Sequence, residues 1–253
     1  MNSSRYRIVR INSDTRTSGT PTNFTIQFND NDLQNVSYYT VKSATFPNLF
    51  PNVDGRNDTN QFTWFSTAQG GNFTVTVPVA QYTELELRNT LATLMTAAMA
   101  GLPGAPVITI DLVDGKFQFT SSIDTIQLLS VASGNLMGDI TGITEDSVVG
   151  NQVSAAHPPA LQGEQMVFIH SRQLNNSRAV LGNGRNVSSF CEVPITVPYG
   201  AIQTYVMMED DSNVIFSGSI NQASLNIRVR SPDGTLLELP PNQRLIVTLK
   251  AWY

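Results

Sequence analysis

The sequence predicts a mainly-β chain, a jelly-roll β-sandwich with one amphipathic helix in an inserted or connecting region. Three observations predict it. About a dozen short runs rich in β-branched and aromatic residues alternate apolar with polar, the period of a half-buried strand. Asp-Gly turn pairs separate several of them. Only one segment carries a helical period. The 253 residues are 41% hydrophobic, enough for a sizeable core. No internal repeat and no low-complexity linker divides them, so the chain reads as one domain over residues 1–253.

In chain order, Tyr6 to Asn12 reads as a strand, and Ser13 to Asn23, rich in Ser, Thr, Gly and Pro, as an irregular loop. Phe24 to Phe28 alternates at period two. Val36 to Phe46 is a strand halted by Pro47, and Asn48 to Asn60 is a loop with a turn at Asp54-Gly55. Gln61 to Phe65 and Asn72 to Val77 form a hairpin across Gly70-Gly71. Thr83-Glu84-Leu85-Glu86 fits a capping box that opens a helix to about Ala100. Leu87, Leu91, Leu94, Met95 and Ala98 then share one face, which packs onto the chain's own sheet, and Gly101 and Pro103 end the helix.

Val107 to Leu112 and Lys116 to Thr120 flank Asp114-Gly115, the strongest hairpin signal in the chain. Ser133 to Gly142 reads as loop with a single helical turn, and His157-Pro158-Pro159 as an extended connector. The remaining strands are Met166 to His170, Val187 to Val193, Thr204 to Met208, Val214 to Ser217, Ser224 to Arg230, Leu236 to Leu239 and Arg244 to Trp252. Ser231-Pro232-Asp233-Gly234 is a turn between two of them.

Charge narrows the function classes. Only 14% of residues are charged, the net charge is −5, and no Lys/Arg run exists. Direct nucleic-acid binding is therefore not expected, because phosphate contacts need clustered cations. A polar, weakly charged surface repels copies of itself little and suits packing against neighbours. Most of the cationic charge is Arg, whose planar fork fits subunit interfaces. No apolar run reaches the ~18 residues of a membrane span. The amino terminus lacks an apolar h-region, so synthesis and assembly inside the cell are expected. The single cysteine, Cys191, lies in a strand-like run and reads as a buried, inert thiol.

A search for chemistry returns little. His157 and His170 are the only histidines, and neither has a second His or Cys at metal-ligand spacing. Both read as structural. No Gly-x-Ser-x-Gly elbow supports a catalytic triad. Asp30-Asn31-Asp32 and Glu209-Asp210-Asp211 do not fit a calcium loop and read as solvated turns. Gly182-Asn183-Gly184-Arg185 lacks the Gly-Lys-Ser/Thr ending of a phosphate loop and reads as a turn. The Asn-x-Ser/Thr triplets at Asn23, Asn35, Asn57, Asn72, Asn175 and Asn186 follow from the abundance of those residues. No catalytic, cofactor-binding or metal-binding residue is expected, and no cofactor.

One ordered set of motifs goes further. Asn12-Ser13-Asp14-Thr15-Arg16-Thr17-Ser18-Gly19-Thr20 with Asn23-Phe24-Thr25 resembles the amino-terminal signature of penton proteins. These are the single-jelly-roll vertex proteins of double-jelly-roll DNA viruses, including virophages, related transposon-like viruses and large eukaryotic DNA viruses. Phe46-Pro47-Asn48 and Asn60-Gln61-Phe62 match later pieces of that pattern. Gln81-Tyr82-Thr83 resembles its Gly-x-Tyr-Thr element without the Gly. Phe168 to Leu174, with His170-Ser171, and Val193-Pro194-Ile195-Thr196-Val197-Pro198-Tyr199-Gly200 follow in order. Ile227 to Gly234 resembles the family's Leu-x-Asp-x-x-Gly turn, with Ser231-Pro232 in place of the more typical polar pair, and Leu245 to Leu249 fits its last strand.

The resemblance implies a structural, non-enzymatic capsid domain with an insertion or subregion around residues 60–163. It implies a homopentamer that closes the fivefold vertices of an icosahedral capsid, in contact with the major capsid protein and minor capsid proteins. Assembly takes place inside the infected host cell. Arg16, Thr17, Ser18, Arg172, Tyr199 and Arg228 are the candidate subunit-interface residues. Arg16, a rare cation in a Ser/Thr/Gly loop, is expected to bridge carboxylates or carbonyls of a neighbouring copy. The alternatives are a jelly-roll carbohydrate-binding or fibre-type receptor-recognition module, which Trp and Tyr exposed on one sheet face would favour, and a β-sandwich hydrolase without a recognisable site.

Overall fold

A computed structural model describes residues 6–29, 33–56, 59–101, 104, 106–174, 179–180, 186–187, 189–207, 215–220 and 223–253. The Asp30-Asn31-Asp32, Glu209-Asp210-Asp211 and Gly182-Asn183-Gly184-Arg185 segments, with Asn57, Asn175, Pro103, Met208 and Val214, lie outside them. The chain divides into two compact units, Met1–Phe50 with Glu164–Tyr253, and Pro51–Gly163.

The first unit opens with β1 (Tyr6–Asn12), β2 (Ser18–Thr20), β3 (Asn23–Gln27) and β4 (Val36–Pro47). Residues 13–23, read from sequence as irregular loop, hold a 3-10 turn at Ser13–Thr15 and the short strand β2. Polar strands of three residues carry no alternation to read. What makes this one is its hairpin pairing, Ser18 to Thr25 and Thr20 to Asn23.

The second unit holds β5 (Gln61–Ser66), β6 (Gly71–Thr76), α1 (Glu84–Met99), β7 (Ile108–Val113), β8 (Lys116–Ser121), β9 (Ile126–Leu128), α2 (Gly138–Thr141) and β10 (Gln152–Ser154). They form two antiparallel sheets, ordered β6-β5-β9 and β10-β8-β7. Both hairpins read from sequence are present. At the β7–β8 turn Asp114 (φ 52°) and Gly115 (φ 75°) both adopt the left-handed conformation that a two-residue turn between right-twisted strands demands. The α1 capping box forms as expected: the Thr83 N–H donates to Glu86 (2.8 Å) and the Glu86 N–H to the Thr83 hydroxyl (3.3 Å).

The buried stripe of α1 differs at its end. Leu87, Leu91 and Met95 are buried, but Leu94 is half-buried and Ala98 exposed, and Met99 fills the last turn. A long thioether reaches a core that a single methyl does not. Phe62, Trp64, Phe117 and Phe119 pack with this stripe in the unit's core, with the Phe62 and Phe119 rings stacked at 5.7 Å.

The chain then returns to the first unit with β11 (Met166–Ser171), β12 (Ala179–Val180), β13 (Asn186–Val187), β14 (Cys191–Pro194), β15 (Ile202–Val206), β16 (Ile215–Ile220), β17 (Ser224–Arg230) and β18 (Ile246–Trp252). Pairing is nested and antiparallel throughout: β1 with β18, β3 with β17, β4 with β15, and β11 with β14. Two five-stranded sheets result, the first ordered β1-β18-β4-β15 with β16 also on β4, the second β14-β11-β17-β3-β2. First strand with last, and so inward, is the connectivity of a jelly roll. Pro51–Gly163 enters the chain between β4 and β11.

One strand read from sequence does not form. Leu236 to Leu239 makes a single bridge to Arg230 and one bond from the Leu237 N–H to Val229. Leu237 and Leu239 are buried, which accounts for the alternation, but Pro240 and Pro241 follow without donors to extend a ladder. The core of the first unit gathers the inward residues of both sheets, among them Ile11, Phe24, Tyr39, Phe46, Ile169, Ile227 and Leu249.

Candidate subunit-interface residues

Arg16 follows the 3-10 turn that Asn12 caps by accepting from the Asp14 N–H at 3.1 Å. Its guanidinium turns back onto its own loop. Nε donates to the Gly19 carbonyl at 3.0 Å and Nη1 to the Ser13 carbonyl at 2.7 Å. Ser13 in turn exchanges hydrogen bonds with the backbone of Leu245, just before β18. Gly19 has φ +97°, and a Cβ there would lie 2.0 Å from the Asn23 carbonyl oxygen, so only glycine fits. The Thr17 N–H and hydroxyl both donate to the Thr25 carbonyl, and Ser18 opens β2, the outer strand of the second sheet. The amino-terminal motif is thus a self-braced loop that fixes how β2 leaves β1.

Arg228 sits on the outward face of β17, in register with His170 of β11 on one side and Asn23 of β3 on the other. Its Nε is buried and has no hydrogen-bond partner among the described residues. The neighbouring row of the same face holds Asn226, Thr25 and Ser18. Arg172 is exposed just past β11, beside Gln173, whose side-chain carbonyl accepts from the Asn226 N–H at 3.1 Å. The second sheet therefore brings Ser18 and Arg228 onto adjacent rows of one face. Tyr199 stands elsewhere, exposed in the loop from β14 to β15. Asn48 pins that loop: its side-chain amide donates to Val197, and its carbonyl accepts from the Gly200 N–H.

Among the described residues no three His, Cys, Asp or Glu side chains gather to hold a metal. Cys191 faces the core, and burial, with the nearby Glu192 carboxylate, pushes its thiol up to about 12. Burial, and then the charge of Tyr253, raise Tyr39 to about 12. Neither is poised to react near neutral pH. No described helix is long and apolar enough to cross a membrane.

The outward face of the first sheet carries residues outside the expected interface set. Tyr6, Trp252 and Tyr38 stand in register across β1, β18 and β4. The Tyr38 and Trp252 rings stack at 5.4 Å, and the Lys250 ammonium lies 5.2 Å from the Tyr6 centroid. Tyr6 and Ile8 on β1, and Ile202 and Val206 on β15, are all more than 40% exposed. The signal was present: Ile8-Val9 and Tyr205-Val206 are adjacent apolar pairs, which put one member of each on the solvent face of a strand.

No protein-family model and no curated protein sequence matches the chain. Solved structures do. The crystal structure of mavirus penton protein aligns over 98% of this chain and 100% of its own, at 12% identity and a TM-score of 0.54. A chain of the Sputnik virophage structure, determined by electron cryo-microscopy, aligns over 98% of this chain and 97% of its own, at 13% identity and a TM-score of 0.46. The likeness to the mavirus protein runs from end to end, and the chain shares its jelly-roll fold.

Proposed function

We propose that the chain is a structural, non-enzymatic virion protein, the penton subunit whose homopentamers close the fivefold vertices of an icosahedral capsid. The observation that carries this reading is the shared fold with mavirus penton protein over 98% of this chain and the whole of that one. The nested strand order of the first unit supports it, because a jelly roll offers two broad sheet faces and free edges for lateral packing. In this reading Pro51–Gly163 is an insertion in the roll, between β4 and β11. Arg16, Thr17, Ser18, Arg172, Tyr199 and Arg228 lie at subunit contacts. Arg16 acts there by holding its loop in shape, since Ser13 and Gly19 already take two of its donors. The rim meets the major capsid protein and minor capsid proteins, and assembly takes place inside the infected host cell. Negative-stain microscopy of the purified protein tests this: fivefold rings are expected, and isolated single copies at every concentration overturn it.

The row of Tyr6, Tyr38 and Trp252 favours a second reading, a carbohydrate-binding or receptor-recognition module. Against it, these rings occupy one another's faces and the Lys250 ammonium covers two of them. The flanking outward residues Ile8, Arg10 and Thr40 offer no carboxylate or amide for sugar hydroxyls. Single copies that bind a glycan array would establish the second reading.

A further inference from the structure

We propose that Asp114-Gly115, at the tip of the β7–β8 hairpin, is a site of spontaneous covalent modification, where the backbone is rerouted through the Asp114 side chain as isoaspartate. The Gly115 nitrogen attacks the protonated Asp114 carboxyl and forms an N–Cγ bond. The carboxyl hydroxyl leaves with the amide proton as water, which closes a succinimide ring. Solvent water then opens that ring. Cleavage of the original peptide bond leaves isoaspartate, and cleavage of the new bond restores aspartate. No oxidant, reductant or cofactor takes part. Glycine after the aspartate favours the attack, because no Cβ stands beside the nitrogen.

The fold treats the Asp-Gly pairs of this chain, Asp54-Gly55, Asp114-Gly115 and Asp233-Gly234, differently. Asp54 accepts from the Arg56 N–H and Nε at 2.8 Å each, from Arg56 Nη2, and from the Thr59 hydroxyl at 3.1 Å. Asp233 accepts from the Thr235 N–H at 3.0 Å, from the Thr235 hydroxyl at 2.8 Å, and from the Ser231 hydroxyl. Both carboxyls are tied to neighbouring groups and are not free to swing onto the next nitrogen. Burial raises the Asp54 pKa, but the bonds and charge of Arg56 outweigh it, so the neutral acid that cyclises is scarcer there. Nothing among the described residues bonds the Asp114 carboxyl. Residues 111–115 are all exposed, and a Cβ built on Gly115 would meet nothing within 4 Å. Asp114 also has φ 52°, a conformation that an L residue gains by leaving. Cyclisation requires that rotation, and only the terminal pair of the ladder, Val113 with Lys116, adjoins it.

Ageing of the full chain in mildly acidic buffer, once folded and once in guanidinium chloride, tests this. Peptide mapping with isoaspartyl methyltransferase labelling reads each Asp-Gly pair separately, and the incubation lasts until the unfolded sample shows isoaspartate at all of them. In the folded sample Asp114 is expected to convert at a rate close to that of the unfolded chain, and Asp54 and Asp233 severalfold more slowly. Ageing in heavy-oxygen water should place one solvent oxygen in the isoaspartate at position 114. Asp114→Gly keeps the turn and should lose the label on that peptide. Arg56→Ala should speed conversion at Asp54. If that variant loses its melt, Thr235→Val makes the same comparison at Asp233. Asp114 slowed by folding as much as the other two, or Asp54 or Asp233 converting first, overturns the proposal. A freed carboxyl that converts no faster in a variant with a native melt overturns it as well.

Discussion

Asn52 does more for the second unit than its position in a loop suggests. It is buried, its amide donates to the carbonyls of Tyr82 (2.8 Å) and Leu161 (3.0 Å), and its side-chain carbonyl accepts from the Tyr82 N–H. Asn52→Ala strands those groups away from water, and a loss of about 1–3 kcal/mol is expected by urea denaturation. Nothing local in the sequence announces this role, because the partners lie 30 and 109 residues away. Cys191 is the opposite case. Alternation along Cys191-Glu192-Val193 places it inward from sequence alone, and the structure agrees. With burial pushing its thiol up to about 12, a disulfide reagent at neutral pH should label it only after unfolding, and rapid labelling of the native protein would contradict that placement.

Elements were legible where their signals are local. The capping box of α1 is one. Thr83→Ala removes the hydroxyl that accepts from Glu86 and should cost about 0.5–2 kcal/mol in a thermal or urea melt. The backbone N–H of Thr83, and then its hydroxyl, hold the Glu86 carboxyl below its ordinary pKa. A depressed carboxylate stabilises the fold above its unfolded pKa, and that contribution is lost as pH falls through the folded value. Asp146, bonded by Ser133 and Ser130, has the same sign. So does Asp54, where burial raises the pKa but the bonds and charge of Arg56 outweigh it. Stability should therefore decline on the acid side of the ordinary carboxylate range. Proton titration by NMR should place Glu86 lower in the wild type than in Thr83→Ala.

The Asp114-Gly115 hairpin was legible for the same reason, a turn chemistry that few residues satisfy. β2, β9 and β10, three residues each, were not, because their strand character comes from a partner across the sheet. Leu236 to Leu239 shows the converse. Burial of alternate residues writes a strand pattern even where no ladder forms.

At the scale of the molecule, the sequence carries the fold as a set of long-range pairings that no window of residues reveals. Val9 opposite Leu249 and Phe24 opposite Ile227 join distant ends of the chain, and the nested order emerges only when all such pairs are drawn together. The candidate site was legible in the same uneven way. The amino-terminal motif reads in sequence as an irregular loop with Arg16 reaching a neighbouring copy, whereas two donors of Arg16 go to carbonyls of its own loop and Gly19 fits where no Cβ could. The outward apolar residues of the first sheet were legible only in part: the pairs Ile8-Val9 and Tyr205-Val206 put one member of each outward, but which one depends on the face that the core claims.

In the proposed function, copies of this chain assemble into a closed fivefold ring. Light scattering coupled to size-exclusion chromatography measures it most directly. A particle of five times the 27.6 kDa subunit mass is expected. A single species of 27.6 kDa across the accessible concentration range would contradict it.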